Sequence, residues 1–363
     1  MLHIRKIYNM DCSKRFISRD ILIINTNAIS NLIGMICLVL FILTSITSCH
    51  GDDDILVLNT GVTQGTFYHI KYISLSGKDY RYQIDSLLAE IDSSLSTYKD
   101  YSLISRINRG EKVKVDKKFK DVFYAAEQIY FETNGGFDCS IAPLTNYWGF
   151  GSEDEPLYID SIEVKRRLDL VDYSRLEIHN DSILLPQGMQ LDYNAIAQGY
   201  SVDIISLFLE KKGVENYLVE IGGEIRAKGK NAENNLWLVG LDKPVENNHA
   251  QEELQLILEI ENSSLATSGN YRKFRVVDGV KYSHTISTET GFFAENRMIS
   301  VSVIHSSCMF SDAYATAFMA MGVSKSKAFV NSRSDLDVYF LYTDKDNNWE
   351  VFMTEKIEEI TKK

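Results

Sequence analysis

Residues 133–151 read TNGGFDCSIAPLTNYWGFG, nineteen positions with neither a helical nor a strand period. Four glycines, four aromatics, one proline and a single acid, Asp138, fall in that span. Apolar side chains that follow no period do not form one face of a helix or strand, so the segment is a structured loop covering something. It is either the wall of a ligand pocket, which is mostly aromatic and apolar with a few placed polar groups, or a long loop shielding the domain's own core. The segment alone leaves both open.

Regular elements surround it. Ile84, Leu87, Leu88, Ile91 and Leu95 repeat at the spacing of one buried helical face, and Phe119, Val122, Phe123, Ala126, Ile129 and Tyr130 form a second stripe. Residues 60–74 alternate as a strand centred on Gly65-Thr66, and 160–185 read as a short helix and strands. Residues 191–213 enter a helix stopped by Gly213. Strands follow at 217–221, 236–241, 254–260 and 298–305, then a helix from Ser311 to Gly322, a short one from Ser324, and closing strands near 337–342 and 348–353. The hydrophilic breaks at 228–235 and 244–252 read as hairpin loops. Without a regular βαβ rhythm the fold class is α+β, a largely antiparallel or mixed sheet with packed helices.

The N-terminus has another purpose. Arg5, Lys6, Lys14, Arg15 and Arg19 precede a twelve-residue apolar run, Leu32 to Leu43, which Ile46-Thr47-Ser48-Cys49 closes. The run is short for a membrane span and has the layout of a secretory signal peptide. The ending resembles a bacterial lipobox, which implies that residues 1–48 are a leader, Cys49 the lipid-modified first residue of the mature chain, 49–59 a tether and 60–363 the working domain; an uncleaved anchor helix is the alternative. The lipobox reading places the domain on the outer side of a bacterial membrane, facing the periplasm or the exterior, held by lipid without a spanning helix.

A net charge of −12 excludes a nucleic-acid partner, because a phosphate backbone needs a basic face. Of five cysteines, only Cys139 and Cys308 remain beyond the leader and Cys49, and their spacing suits two buried thiols better than a bridge or a metal site.

Several segments carry polar groups that chemistry can use. Asp312 and Thr316 lie four apart on one helical face, a carboxylate and a hydroxyl suited to Mg²⁺; the same residues equally read as an ordinary charged helix start with a hydroxyl bonded to its own backbone. Asp192-Tyr193-Asn194-Ala195-Ile196-Ala197-Gln198-Gly199 is a helix entry whose free backbone groups suit an anion or, through a carbonyl, a metal. Gly222-Gly223 reads as a tight hairpin turn with Glu220, Glu224 and Arg226 as strand charges. His284, among Ser and Thr residues, is structural or a proton-transfer group. There is no P-loop, no GxGxxG and no nucleophile elbow.

Taken in order, GTFYHIKY (65–72), LSTYKDYSLISRIN (95–108), the 133–151 segment, LDYNAIAQGY (191–200), VEIGGEIRAKGKN (219–231), GLDKP (240–244), ATSGNYRKF (266–274), YSHTISTETG (282–291) and SCMFSDAYATAFMAMG (307–322) resemble the ApbE family of flavin transferases. The resemblance spans about residues 60–325. It implies a T-fold-like architecture and an enzyme that, with Mg²⁺, splits FAD, passes the FMN moiety to a Ser or Thr hydroxyl of an exported protein and releases AMP. The metal set it implies is the Asp312 and Thr316 side chains with the Ala195 carbonyl. Implied FAD contacts are Gln64, Tyr98, Gly136, Phe137, Asp138, Asp192, Gln198 and Ile286. His284 takes the place of the family's histidine beside the reacting phosphates, with Asp192 the other candidate base, and Tyr98, Phe137 and Trp148 are aromatics able to border the flavin and adenine rings.

The same residues admit two rival readings: a pyrophosphatase in which water attacks FAD, and a flavin-binding lipoprotein without catalysis. The chain also departs from the family pattern. Gln64 stands where Met is frequent, and Ser287-Thr288-Glu289-Thr290-Gly291 where the family often has Asp-Pro-Arg-Thr-Gly.

Overall fold

A computed structural model describes residues 54–75, 77–151, 160–242, 254–270, 274–277, 280–283, 285–294 and 297–362. The expected leader, Cys49 and His284 lie outside the described residues. The strands are β1 (Asp54–Thr63), β2 (Thr66–Leu75), β3 (Tyr217–Ile221), β4 (Glu224–Lys228), β5 (Trp237–Asp242), β6 (Leu254–Ile260), β7 (Ser263–Gly269), β8 (Phe274–Val277), β9 (Val280–Ser283), β10 (Met298–His305), β11 (Asp337–Thr343) and β12 (Trp349–Met353). The helices are α1 (Arg81–Leu95), α2 (Leu103–Asn108), α3 (Lys117–Glu132), α4 (Ala142–Tyr147), α5 (Ser161–Leu168), α6 (Asn194–Lys211), α7 (Cys308–Asn331) and α8 (Glu355–Ile360).

Eight strands form one sheet in the order β1-β2-β3-β4-β7-β10-β11-β12, every neighbouring pair antiparallel. The α+β expectation holds. Along β3, Tyr217, Val219 and Ile221 are buried on one face, with Tyr68, Ile70 and Tyr72 of β2, Ile84 and Leu88 of α1, and Val202, Ile205 and Leu209 of α6. The opposite face buries Ala227, Leu265, Ile304, Tyr339 and Leu341 against Trp237, Val239, Leu241, Leu258 and Ile260 of the β5–β6 pair and Ile357 of α8. The sheet is thus the middle layer, with the long helices on one side.

Five local readings change. Residues 160–185 hold the short helix α5 but no strand, only isolated bridges from Ser182 to Lys114 and to His179. The stretch read as one strand centred on Gly65-Thr66 is a hairpin, because Gln64 (φ 51) and Gly65 (φ 73) make its two-residue turn. Strand β1 already begins at Asp54, inside the stretch read as tether. Residues 229–236 join β4 of the large sheet to β5 of a separate two-stranded sheet, so that break is a crossover and not a hairpin loop. The last long helix starts at Cys308, three residues before Ser311, and Gly322 interrupts it at φ 77 and ψ 173. The other turn is as expected: Gly222 (φ 67) and Gly223 (φ 106) close the β3–β4 hairpin.

Candidate active site

Helices α6 and α7 meet where Gly199 faces Asp312. A Cβ on Gly199 would stand 2.3 Å from the Cys308 carbonyl oxygen and 2.8 Å from Asp312 Cβ, so only glycine allows this approach. The Gly199 N–H donates to Asp312 Oδ2 at 3.0 Å. Ala195 lies one turn before Gly199 on α6, and Thr316 one turn after Asp312 on α7, so each of the three expected metal ligands is within about a turn of this contact along its own helix. Thr316 Oγ1 is 3.2 Å from Ser268 Oγ on β7, which fixes the hydroxyl over the sheet.

Asp312 is buried, and no basic side chain pairs with it among the described residues. Burial pushes its carboxyl up to about 7, against the opposing pull of the Gly199 N–H. The neighbouring field has the same sign: Asp138, Asp192 and Asp312 all act on the buried Cys139 thiol, which burial and these charges push well up. A buried carboxylate with a hydroxyl close by, in a field of further acids, fits a hard divalent cation that completes its shell with water and phosphate oxygens. Among the described residues no three His, Cys, Asp or Glu side chains cluster as metal ligands, so a cation here relies on hydroxyl and carbonyl oxygens too.

Asp192 stands at the entry to α6. Its Oδ1 accepts from the Asn194 N–H at 2.7 Å, and its own N–H donates to the Cys139 carbonyl at 2.8 Å. Burial raises its carboxyl, and burial, with the Asp192 charge second, raises the Tyr98 hydroxyl. Tyr98 is 62 % exposed and free to lie along a ligand. The entry is held by Asn108 at the end of α2, whose Nδ2 donates to the Leu191 carbonyl and whose Oδ1 accepts from the Leu191 N–H, both at 2.8 Å.

Gln64 and Gln198 approach from the other side. Gln64 Nε2 donates to Ser201 Oγ at 2.7 Å, while its Oε1 is buried with no partner among the described residues. Such an acceptor calls for a donor that the described protein does not supply. Gln198 Nε2 packs on the β3–β4 turn, where a Cβ on Gly222 would come within 2.6 Å.

The aperiodic segment serves both purposes that its composition allowed. Phe137 and Trp148 are buried, each 3 % exposed, in the protein's own core. Trp148 Nε1 donates to the Gly291 carbonyl at 2.8 Å and its ring lies 4.4 Å from that of Phe293. These two aromatics are therefore core residues, with little surface left to border a ligand ring. Asp138 is buried and accepts from the Ser140 N–H and hydroxyl and from the Tyr173 N–H, at 2.7, 2.6 and 3.2 Å, which makes it the anchor of its own turn. Ile286 is buried in the satellite core with Leu144, Tyr147, Trp148 and Phe293. Gly136 is partly exposed, although a Cβ on it would come within 2.6 Å of Met321 Cγ. It lines a cleft of about 860 Å³ with Thr133, Ser287, Thr288, Phe292 and Met321, a volume that suits a small ligand. Thr288 Oγ1, donating to the Gly135 carbonyl at 2.7 Å, ties the two walls together. Asp192, Asp312 and Thr316 do not line this cleft. Both Cys139 and Cys308 are free and buried, as their spacing suggested.

Asn108, Ser268 and Gly199 were not singled out in the sequence. Each lies inside a quoted segment, but its partner is far away in the chain, and no local period reveals such a pairing.

The ApbE family profile matches residues 64–340. The FAD:protein FMN transferase of Vibrio cholerae is 37 % identical over 279 residues, 74 % of this chain and 82 % of that protein. That of Escherichia coli K12 is 30 % identical over 300 residues, 79 % and 84 % of the respective chains. Among solved structures, the flavin transferase ApbE from Vibrio cholerae superposes with a TM-score of 0.76 at 33 % identity, covering 85 % of this chain and 99 % of that one. The ApbE protein of Thermotoga maritima, at 23 % identity and a TM-score of 0.72, shares the fold. The chain belongs to the ApbE family and is a transferase.

Proposed function

We propose that this protein moves the FMN moiety of FAD onto a Ser or Thr hydroxyl of an exported protein, with Mg²⁺, and releases AMP. The observation that supports the reading is the contact at Gly199, where the buried Asp312 carboxylate has no basic partner among the described residues and Thr316 stands one turn on. Asp312 and Thr316 side chains with the Ala195 carbonyl would hold Mg²⁺, which supplies charge neutralisation at the phosphate oxygens.

The remaining work falls to the chain. Gln64 Oε1 offers an acceptor to an N–H of FAD, the exposed Tyr98 offers a flat surface for a ring, and Gly136 lines a cleft. The acceptor hydroxyl oxygen forms a new bond to the FMN phosphorus. The P–O bond of the pyrophosphate breaks, and AMP leaves with the electron pair. The hydroxyl proton passes to Asp192, whose burial moves its carboxyl toward the range of a working base; His284 is the alternative base. Such a transfer depends on alignment and charge more than on a protein nucleophile.

Lipid on Cys49 would keep this chemistry at a membrane surface outside the cytoplasm, where exported acceptors are found. The test incubates the protein with FAD, Mg²⁺ and candidate exported proteins from the same source, and follows in-gel flavin fluorescence together with AMP. Fluorescent protein and AMP in equal amounts are expected. AMP without labelled protein would make the enzyme a pyrophosphatase, and neither product would exclude catalysis altogether.

A further inference from the structure

Helix α7 carries Asp312 and Thr316, yet it does not cap itself. Its N-cap residue, Ser307, makes no side-chain cap bond. The orphaned N–H groups of the first turn are met instead by Asp203 of α6: Oδ1 accepts from the Cys308 N–H at 3.0 Å and Oδ2 from the Met309 N–H at 3.0 Å. Ser307 turns its hydroxyl to the same carboxylate at 2.6 Å. A fourth bond comes from Arg226 Nη1 of β4, at 2.6 Å. Arg226 reaches it because Ile225 and Ala227 on either side point to the opposite face of the sheet.

Asp203 stands four residues after Gly199, which stands four after Ala195. The three positions therefore share one face of α6, and all three bear on the same partner helix or on its cargo. Gly199 sets how close α7 can come and bonds Asp312 directly. Asp203 fixes the end of α7 some four residues earlier, roughly 6 Å along its axis from Asp312. Two attachment points on one rigid helix determine both its axial position and its rotation.

We infer that Asp203, braced by Arg226, is a positioning residue for the metal site: it holds α7 in the register that places Asp312 and Thr316 opposite the Ala195 carbonyl. The inference rests on the metal assignment made above. Its chemistry is specific to a carboxylate. An asparagine keeps one acceptor but turns an NH₂ toward donors that need an acceptor, and it leaves the Arg226 guanidinium without its close counter-charge. Changes of this kind behind a metal ligand weaken metal binding by about 10- to 100-fold.

The test uses the full chain in detergent with FAD present and Mn²⁺ as probe, followed by loss of the free-ion EPR signal, with FAD binding read separately from flavin fluorescence. Asp203→Asn should weaken Mn²⁺ binding by about tenfold or more while FAD affinity stays within about twofold. Ser307→Ala should move Mn²⁺ in the same direction by less. A folded Asp203→Asn protein that binds Mn²⁺ as the parent does, or loses FAD and Mn²⁺ together, overturns the inference. If Asp203→Asn does not fold, Ser307→Ala decides by the same criterion. Asp312→Ala run in parallel separates the two claims: unchanged Mn²⁺ binding there removes the metal assignment itself, and with it the role given to Asp203.

Discussion

Gly199 N–H and Asp312 Oδ2, 3.0 Å apart, join two helices where their backbones nearly touch. Gly199→Ala puts a methyl 2.3 Å from the Cys308 carbonyl oxygen, a backbone atom that no rotamer change can move aside. The helices must part, and overpacking of this kind costs about 1–3 kcal/mol, only partly offset by the ~1 kcal/mol that alanine gains in helix propensity. Thermal unfolding should show a lower midpoint, and AMP release should fall by more than the loss of folded protein explains. A variant with the parent's melting point and rate would remove the close approach from the account.

The charge state of Asp312 gives a pH prediction. Its folded carboxyl sits at about 7 where an ordinary aspartate sits at 3.8. In the metal-free protein the neutral form is the favoured one, so the stability this group contributes is full below about 4 and is lost as pH rises through 7. Asp312→Asn should therefore be more stable than the metal-free parent at pH about 8, with the gap closing near pH 5. Mg²⁺ reverses the comparison, because it binds only the ionised carboxylate. The rise in melting temperature on adding Mg²⁺ should be large at pH about 8 and fade below about 7, affinity falling about tenfold per unit. An equal Mg²⁺ effect at both pH values would sink this view of Asp312.

Gln64 separates stability from binding. Its Oε1 is buried without a partner among the described residues, a condition that costs about 1–3 kcal/mol until a donor arrives. Gln64→Met removes the orphaned oxygen along with the bond to Ser201, whose hydroxyl also donates to the Ala197 carbonyl at 2.8 Å. The ligand-free variant should melt at or above the parent's temperature, while its KM for FAD rises several-fold. Calorimetry and initial rates read the two effects independently. A fall in stability with unchanged KM would show that Gln64 is a turn residue only.

The sequence made some of this legible and concealed the rest for physical reasons. The stripes 84–95 and 119–130 announced α1 and α3 because each buries a single face. The hairpin at Gln64-Gly65 was hidden because glutamine is not among the residues that usually signal a left-handed turn. Helix α6 buries Ile196, Tyr200, Val202, Ile205 and Leu209 together with Ser201, Asp203 and Ser206, so it has no polar face against which Asp203 would stand out. Asp138 looked available to a ligand, yet its third hydrogen bond comes from Tyr173, 35 residues on, and local sequence cannot show that. Asp312 and Thr316 were readable as a pair; that Asp312 is buried with no basic side chain paired to it among the described residues became visible only in three dimensions.

Asn108 tests whether the entry to α6 must be rigid. Its amide brackets both backbone groups of Leu191 at 2.8 Å, in the manner of an adjacent strand, one residue before Asp192. Asn108→Ala leaves that N–H and C=O without their partner, a loss of about 1–3 kcal/mol where water cannot replace it. If Asp192 takes the acceptor's proton, freeing its backbone should lower kcat more than it raises KM for FAD, because proton transfer demands an alignment that binding tolerates without. Asn108→Asp is the informative companion: it keeps an acceptor for the Leu191 N–H but offers no donor to the carbonyl. An intermediate kcat is expected for it, between the parent and Asn108→Ala. If both variants lose stability yet keep the parent's kcat, then the bracket serves the fold alone and Asp192 is not held by it for catalysis.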